Sequence, residues 1–312
     1  MQLISFIIPV FNESESIAKF YYEIFSACQD LTCDYEIYFI DDGSTDQTKH
    51  ILKSLATENS HIKVICLRRN FGKSVALSVG FKKAVGDIIF TMDADLQDDP
   101  KEISLFLEAI NEDVDLVCGW KKKRKDPLEK KIASFFFNSI VSMVTGLKLH
   151  DFNCGFKAYR RNVIETTQMC GEFHRFIPAL VQSYGFKIKE IPIHHRKRQF
   201  GKSKYGASRY LAGLFDFLSV VFVIGYSRRP MHFLGRISLI SFLIGSGLLT
   251  YVFCMKFLFG QTGNRPSLAI SIFFLGFAVH VILFGIIADF ILYSNHKNTF
   301  KINDFVDETY DS

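Results

Sequence analysis

The chain has 312 residues, of which 48% are hydrophobic and 33 are Phe, with a net charge of +5. That length holds one sizeable globular domain plus an apolar part, and no nucleic-acid partner is expected at so modest a charge. Seven cysteines (Cys28, Cys33, Cys66, Cys118, Cys154, Cys170, Cys254) are scattered, odd in number and without a C-x-x-C pair, which excludes a disulfide framework or a zinc site and fits reduced thiols.

Leu3 to Val10 reads as a strand at the outset, so no leader peptide is expected. Glu15 to Gln29 has helical spacing with Ser14 as N-cap, and Tyr35 to Asp41 is a second strand. Ile62 to Leu67 follows as a strand, Lys73 to Ala84 as a helix, Asp87 to Met92 as a strand, Pro100 to Asn111 as a helix opened by Pro, and Val114 to Gly119 as a strand. The alternation predicts an α/β domain, a mainly parallel sheet with helices on both faces and ligands at the strand ends. After a basic stretch, Lys121 to Lys131, Ile132 to Gly146 reads as an apolar helix, and Ile188 to Ile193 as a further strand.

Composition shifts after about residue 205. Tyr210 to Tyr226 is apolar but interrupted by Asp216, as in a helix lying in a membrane interface. Ile237 to Met255 is 19 residues without a charge, and Leu268 to Ala288 is 21 residues whose only ionisable member is His280, so each is long enough to cross a bilayer. His280 is expected to serve helix packing. The short link from Lys256 to Ser267 makes the two spans a hairpin. Arg228, Arg229 and Arg236 before it, with Lys297 and Lys301 after it, put both of its ends in the cytoplasm. The expected organisation is a cytoplasmic domain over 1–205, an interfacial region over 206–231, two transmembrane helices within 232–295 (about 233–258 and 268–292) and a cytoplasmic tail over 296–312.

Three acidic motifs sit at strand ends: Pro9-Val10-Phe11-Asn12-Glu13, Asp41-Asp42-Gly43-Ser44-Thr45-Asp46 and Asp93-Ala94-Asp95-Leu96-Gln97-Asp98. Any one alone could simply cap a helix. Together they point to a ligand, because Asp93 and Asp95, two apart at a strand end, can converge on a hard divalent cation and leave positions for phosphate oxygens. Such an ion would offset charge on a departing diphosphate. No Gly-x-x-x-x-Gly-Lys-Ser/Thr loop and no Gly-x-Gly-x-x-Gly turn is present, which excludes the phosphate loop of NTPases and the dinucleotide fold.

With Arg69-Asn70-Phe71-Gly72-Lys73 and Asp151-Phe152-Asn153-Cys154-Gly155-Phe156-Lys157 in the same order, the chain resembles the family 2 glycosyltransferases of the GT-A fold, specifically the dolichyl- and bactoprenyl-phosphate sugar transferases. The resemblance implies that Pro9, Glu13 and Asp42 line the nucleoside pocket, with Asp41 close by and Arg69 and Lys73 near the nucleotide. It places Asp93 and Asp95 at the diphosphate and at Mg²⁺ or Mn²⁺, Asp95 ahead of Asp93 as the direct ligand, with Gln97 beside them. Asp151 takes the place of a catalytic carboxylate. Arg198, Lys202, Ser203 and Lys204 fall in the loop that holds the acceptor phosphate. The implied reaction is inverting transfer of one sugar, UDP-glucose the first choice of donor and another UDP-sugar or GDP-mannose next, to polyprenyl phosphate. A homotetramer, a separate flippase and a later transferase for surface glycan (O-antigen) modification are implied as partners. A processive synthase is disfavoured, since the only Trp, Trp120, is in no Gln-x-x-Arg-Trp motif. A non-catalytic nucleotide-binding membrane scaffold is the alternative of another class.

Overall fold

The computed structural model describes residues 3–29, 31–122, 138–139, 141–142, 146–167, 177–196, 230–260 and 265–299. The chain divides into two compact units, Met1–Val220 and Val221–Ser312.

In the first unit, strands β1 (Leu3–Val10), β2 (Asp34–Asp41), β3 (Ile62–Cys66), β4 (Ile88–Thr91), β5 (Leu116–Lys121), β6 (Lys157–Arg160) and β7 (Ile188–Ile193) form one sheet in the order β3-β2-β1-β4-β6-β5-β7. The β1–β2, β2–β3, β1–β4 and β5–β7 pairs are parallel, whereas β6 runs antiparallel to both neighbours. A central strand covered on both faces reads as a continuous apolar run, and in β1 both Phe6 and Ile7, which point to opposite faces, are fully buried.

Helices α1 (Ile17–Gln29), α2 (Thr48–Glu58), α3 (Lys73–Lys83) and α4 (Ile103–Ala109), with the short α5 (Arg161–Thr167) and α6 (Ile177–Ser183), are α-helices among the described residues of this unit. In α1, Ile17, Phe20, Tyr21, Ile24 and Cys28 are buried, the one-faced spacing of a helix against a sheet. It starts at Ile17, so Ser14 is not its N-cap; the Ser14 N–H donates instead to Asp46 at 3.2 Å. The helix expected from Pro100 opens as a 3-10 turn over Pro100–Glu102, capped by Asp99, before α4. Beneath the strand ends, Phe106 stacks on Phe156 at 4.1 Å and both approach Phe90, an aromatic wedge that carries area burial and ring contact together.

The second unit is a helical hairpin. Helices α7 (Pro230–Phe259) and α8 (Arg265–Thr299) outlast the expected spans, and by length and composition Pro230–Leu258 and Pro266–Ile291 suffice to cross a bilayer. They run antiparallel, with Ser238 Oγ donating to the Ala278 carbonyl and Ser241 Oγ to that of Phe274, both at 2.8 Å. Small residues that admit close backbone approach, and hydroxyls that bond across, are what hold helices together in lipid. His280 does not pack inside the hairpin: it is exposed, with Nδ1 against the Gly276 carbonyl of its own helix at 2.7 Å. All of 206–229 and of 300–312 lie outside the described residues, as does the helix expected over 132–146 apart from fragments.

Candidate active site

Parallel β1, β2 and β4 bring the three acidic motifs to their C-terminal ends. Because β6 is antiparallel to β4, with Thr91 opposite Lys157, the segment that precedes β6 arrives at that same edge. Asp151 to Phe156 therefore lies beside the Asp93 motif, and the Thr91 hydroxyl donates to the Gly155 carbonyl at 2.8 Å. β5 and β7 also end there, delivering Lys121 and His194 to Arg196. Six strand ends thus put charged residues on one edge of the sheet.

The first two motifs clasp each other. Asn12, at φ 50°, receives the Thr45 N–H on Oδ1 at 2.8 Å and gives its own N–H to Ser44 Oγ at 2.9 Å. The Glu13 N–H donates to Thr48 Oγ1 at 2.9 Å, and its carboxylate takes the Ser16 hydroxyl at 2.8 Å. Pro9 is half-buried near the end of β1. Asp41 and Asp42 are both buried; Asp41 accepts the Ser44 N–H, while Asp42 accepts those of Phe71 at 2.8 Å and Gly72 at 2.9 Å. Burial pushes the Asp42 carboxyl above its ordinary value against the pull of those two N–H groups. Asp42 therefore moors the 69–73 loop, and Arg69 stands exposed there with its guanidinium 4.7 Å from the Phe71 ring. Gly43, at φ 71°, cannot be replaced freely, since a Cβ would stand 2.4 Å from the Arg69 carbonyl carbon.

Lys73, expected near the nucleotide, forms an ion pair with Asp93. Burial opposes the charged form of Asp93, but Lys73, Lys121 and Lys157 outweigh it and hold the carboxyl down at about 2. Gly155 packs directly on this carboxylate: a Cβ would lie 2.6 Å from Asp93 Oδ2. Asp95 is half-buried and takes the Gln97 N–H on Oδ1 at 3.2 Å. Between them and Asp98 lies Leu96, fully buried at φ 60°, a backbone region that costs a side-chain-bearing residue about 1–2 kcal/mol. Such strain persists where the surroundings over-determine it, commonly at functional sites.

Further basic residues meet at this edge, and the sequence patterns around them do not disclose their partners. Lys121 makes an ion pair with the fully buried Asp98 at 3.0 Å, and buried Lys157 donates to the Cys154 carbonyl. Despite burial, Asp98 holds the Lys121 ammonium above its usual range. Arg196, two residues before Arg198, bridges Glu23 at 2.5 Å and Asp99 at 2.6 Å, and its backbone N–H donates to the Gln97 carbonyl. Asp151 is buried with Oδ1 accepting the Asn153 N–H at 3.2 Å, and its own N–H goes to Glu190. Arg198, Lys202, Ser203 and Lys204 lie outside the described residues.

Among the described residues no three His, Cys, Asp or Glu side chains gather as a metal cage. An ion at Asp93 and Asp95 would thus complete its shell from phosphate oxygens and water, the mode used by small hard cations at nucleotide sites. With the charge of ionised Asp93 compensated by Lys73, Asp95 would be the better ligand, and two carboxylates with open positions fit a hard divalent cation.

A mainly parallel sheet carrying a carboxylate pair past the end of β4, interlocked acidic motifs at the ends of β1 and β2, and a third carboxylate beside β6 defines a glycosyltransferase of the GT-A type. The chain belongs to glycosyl transferase family 2, whose family model matches residues 5–167. It is 36% identical to the dodecaprenyl-phosphate galacturonate synthase of Rhizobium johnstonii, over 99% of this chain and 93% of that one. It also shares its fold with glucosyl-3-phosphoglycerate synthase from Mycobacterium tuberculosis. The complex of that protein with Mn²⁺, uridine diphosphate and phosphoglyceric acid matches at a TM-score of 0.53 and 17% identity, over 71% of this chain and 78% of that one. Its complex with Mg²⁺ and uridine diphosphate matches at 0.53 and 18%, over 72% and 79%.

Proposed function

We propose that this enzyme transfers one sugar, with inversion, from a nucleoside diphosphate donor to a polyprenyl phosphate at the cytoplasmic face of a membrane. The observation that carries the reading is the convergence of Asp42, Asp93, Asp95 and Asp151 on one sheet edge in a chain that also bears an apolar helical hairpin. The likeness to a synthase named for dodecaprenyl phosphate, along nearly the whole length of both chains, supports the lipid acceptor.

Pro9, Glu13, Asp41 and Asp42 shape the nucleoside side of the pocket, with Arg69 on its rim. Lys73 keeps Asp93 ionised and in place, and Asp95 with Asp93 would hold Mg²⁺ or Mn²⁺, Gln97 standing next to them. When bound, the ion offsets the charge that builds on the leaving diphosphate. A phosphate monoester, with a second pKa of about 6, is largely dianionic at neutral pH and already nucleophilic. Asp151 consequently orients the reacting groups more than it removes a proton. Arg198, Lys202, Ser203 and Lys204 are assigned to the acceptor phosphate, where charge-assisted hydrogen bonds are strongest.

Basic residues on both flanks of the spans favour a multi-pass anchor in the cytoplasmic membrane with the 1–205 domain inside. A flippase and a later transferase would use the product on the far side, and homotetramers are the proposed assembly. For the donor, UDP-glucose fits the bactoprenol-type resemblance. A UDP-hexuronate is a second reading, favoured by the galacturonate in the relative's name. The test is transfer of radiolabel from UDP-glucose, UDP-galacturonate, other UDP-sugars and GDP-mannose to undecaprenyl phosphate by the full chain in detergent. Label in the lipid phase from one donor is expected; none from any donor would favour the non-catalytic scaffold.

A further inference from the structure

We infer that Glu190, which no sequence motif singles out, is a positioning residue for the transfer: it fixes the main chain of Asp151 from the neighbouring strand β7. The inference rests on the reading that Asp151 takes part in the reaction.

Within β7 the sequence Ile188-Lys189-Glu190-Ile191-Pro192-Ile193 is otherwise what a sheet strand needs, and a carboxylate adds nothing to sheet pairing there. Its side chain is nonetheless only 10% exposed. A carboxylate withdrawn from water is costly unless hydrogen-bonded, and this one is bonded to a single target. Glu190 Oε1 accepts the backbone N–H groups of His150 and Asp151, both at 2.9 Å, and Oε2 lies 2.7 Å from His150 Nδ1. Successive N–H groups on one charged acceptor fix both the position and the direction of a peptide, and such bonds are roughly twice as strong as neutral ones.

The rest of the surroundings closes the same grip. The His150 carbonyl accepts the Asn138 side-chain N–H at 2.6 Å, and the His150 ring stacks on Trp120 at 4.1 Å and 17°. Register puts Trp120 and Glu190 on adjacent strands, with Glu190 opposite Cys118 and Pro192 opposite Trp120. His150 is thus held by amide, carbonyl and ring although its side chain is 65% exposed, and the residue it positions is the next one, Asp151. A purely structural role predicts lost stability alone. A positioning role predicts lost turnover, because displacing a reacting group by about 1 Å can cost on the order of a hundredfold.

The test uses the full chain in detergent, with UDP-glucose and UDP-galacturonate as donors and undecaprenyl phosphate as acceptor. Glu190→Ala is expected to lower kcat about a hundredfold with donor KM within about threefold. Glu190→Gln is expected to stay within about fivefold of native, because its carbonyl oxygen can keep both backbone bonds. Should the alanine variant not fold, Glu190→Asp, whose carboxylate is drawn back by one methylene, is expected to lose at least about tenfold in kcat. Native kcat in the alanine or aspartate variant, or a glutamine variant as impaired as alanine, would overturn the inference. Full activity in Asp151→Asn would instead overturn the reading beneath it. Hydrogen exchange at the His150 and Asp151 amides, which requires no turnover, is expected to accelerate in Glu190→Ala and not in Glu190→Gln; unchanged exchange in the alanine variant would also overturn it.

Discussion

Lys73, at the first turn of α3, is ion-paired with Asp93, just past the end of β4. The pair joins the 69–73 loop, moored by Asp42, to the carboxylates proposed for the metal. Replacing Lys73 with Met removes the nearest charge that keeps Asp93 ionised. Native Asp93 titrates at about 2, below an ordinary carboxyl, so its stabilising charge is complete above about pH 4 and is lost as pH falls toward 2. In Lys73→Met that loss is expected to begin at a higher pH, with the acid limb of activity shifted up and Lys73→Arg between the two. Melting curves and rates across pH 3 to 7 check this, and an unmoved acid limb would contradict it.

Gly155→Ala is expected to lower kcat by about a hundredfold with a smaller effect on stability. The added Cβ would lie within 2.9 Å of three Asp93 carboxylate atoms, one of them the Oδ1 that pairs with Lys73, so the carboxylate must shift from its present place. Kinetics alongside thermal unfolding separate this from global damage; native kcat would show that the carboxylate has room to move.

Glu36 provides the control at the opposite edge of the sheet. It is buried at the start of β2, where it accepts from the Ser5 hydroxyl, the Val85 N–H and Lys63. Burial works against its ionisation, but Lys63, Ser5 and Val85 lower its pKa below the ordinary value. Its stabilisation is therefore present above about pH 4.5 and is lost as pH falls through the lowered folded pKa. Glu36→Ala is expected to cost about 2 kcal/mol, because the Ser5 hydroxyl and Val85 N–H lose their acceptor, while kcat of the surviving folded fraction stays native. Denaturant melts with active-site titration test the separation.

In the hairpin, Gly245 lets α7 approach α8 so closely that a Cβ would stand 3.0 Å from the Leu275 backbone nitrogen and 2.9 Å from Leu275 Cγ. Gly245→Leu is expected to part the helices and to lower the detergent melting temperature of the hairpin. The double variant Ser238→Ala, Ser241→Ala should lose only about 1 kcal/mol, since two bonds are removed at an average of about 0.6 kcal/mol each in membranes. Equal effects from both changes would contradict packing as the dominant contribution.

The strands whose apolar runs are long were legible: β1 and β7 fall where the periodicity puts them. Strand β6 was not, because Lys157–Arg160 is four residues long and its antiparallel pairing with β4 is a contact across most of the domain. That reversal is what carries Asp151 to the edge where Asp93 lies, a placement that no local pattern around Asp151 reveals. The spacing of Thr48, Leu52 and Leu55 did mark α2, and went unread. The pairing of Lys73 with Asp93 is not legible either, because a basic residue in a loop does not announce its partner. Glu190 gave no signal at all, since its partners are backbone groups some forty positions away.

The most direct test of the account is mass spectrometry of lipid extracted after the full chain is incubated with undecaprenyl phosphate and the donor panel, with and without EDTA, beside Asp95→Ala. The account predicts a lipid heavier by one sugar residue with native enzyme and divalent metal, lost on chelation and absent with Asp95→Ala. Product formed equally well in EDTA or by Asp95→Ala would contradict the site as drawn here, and unmodified lipid with every donor would contradict the proposed transfer itself.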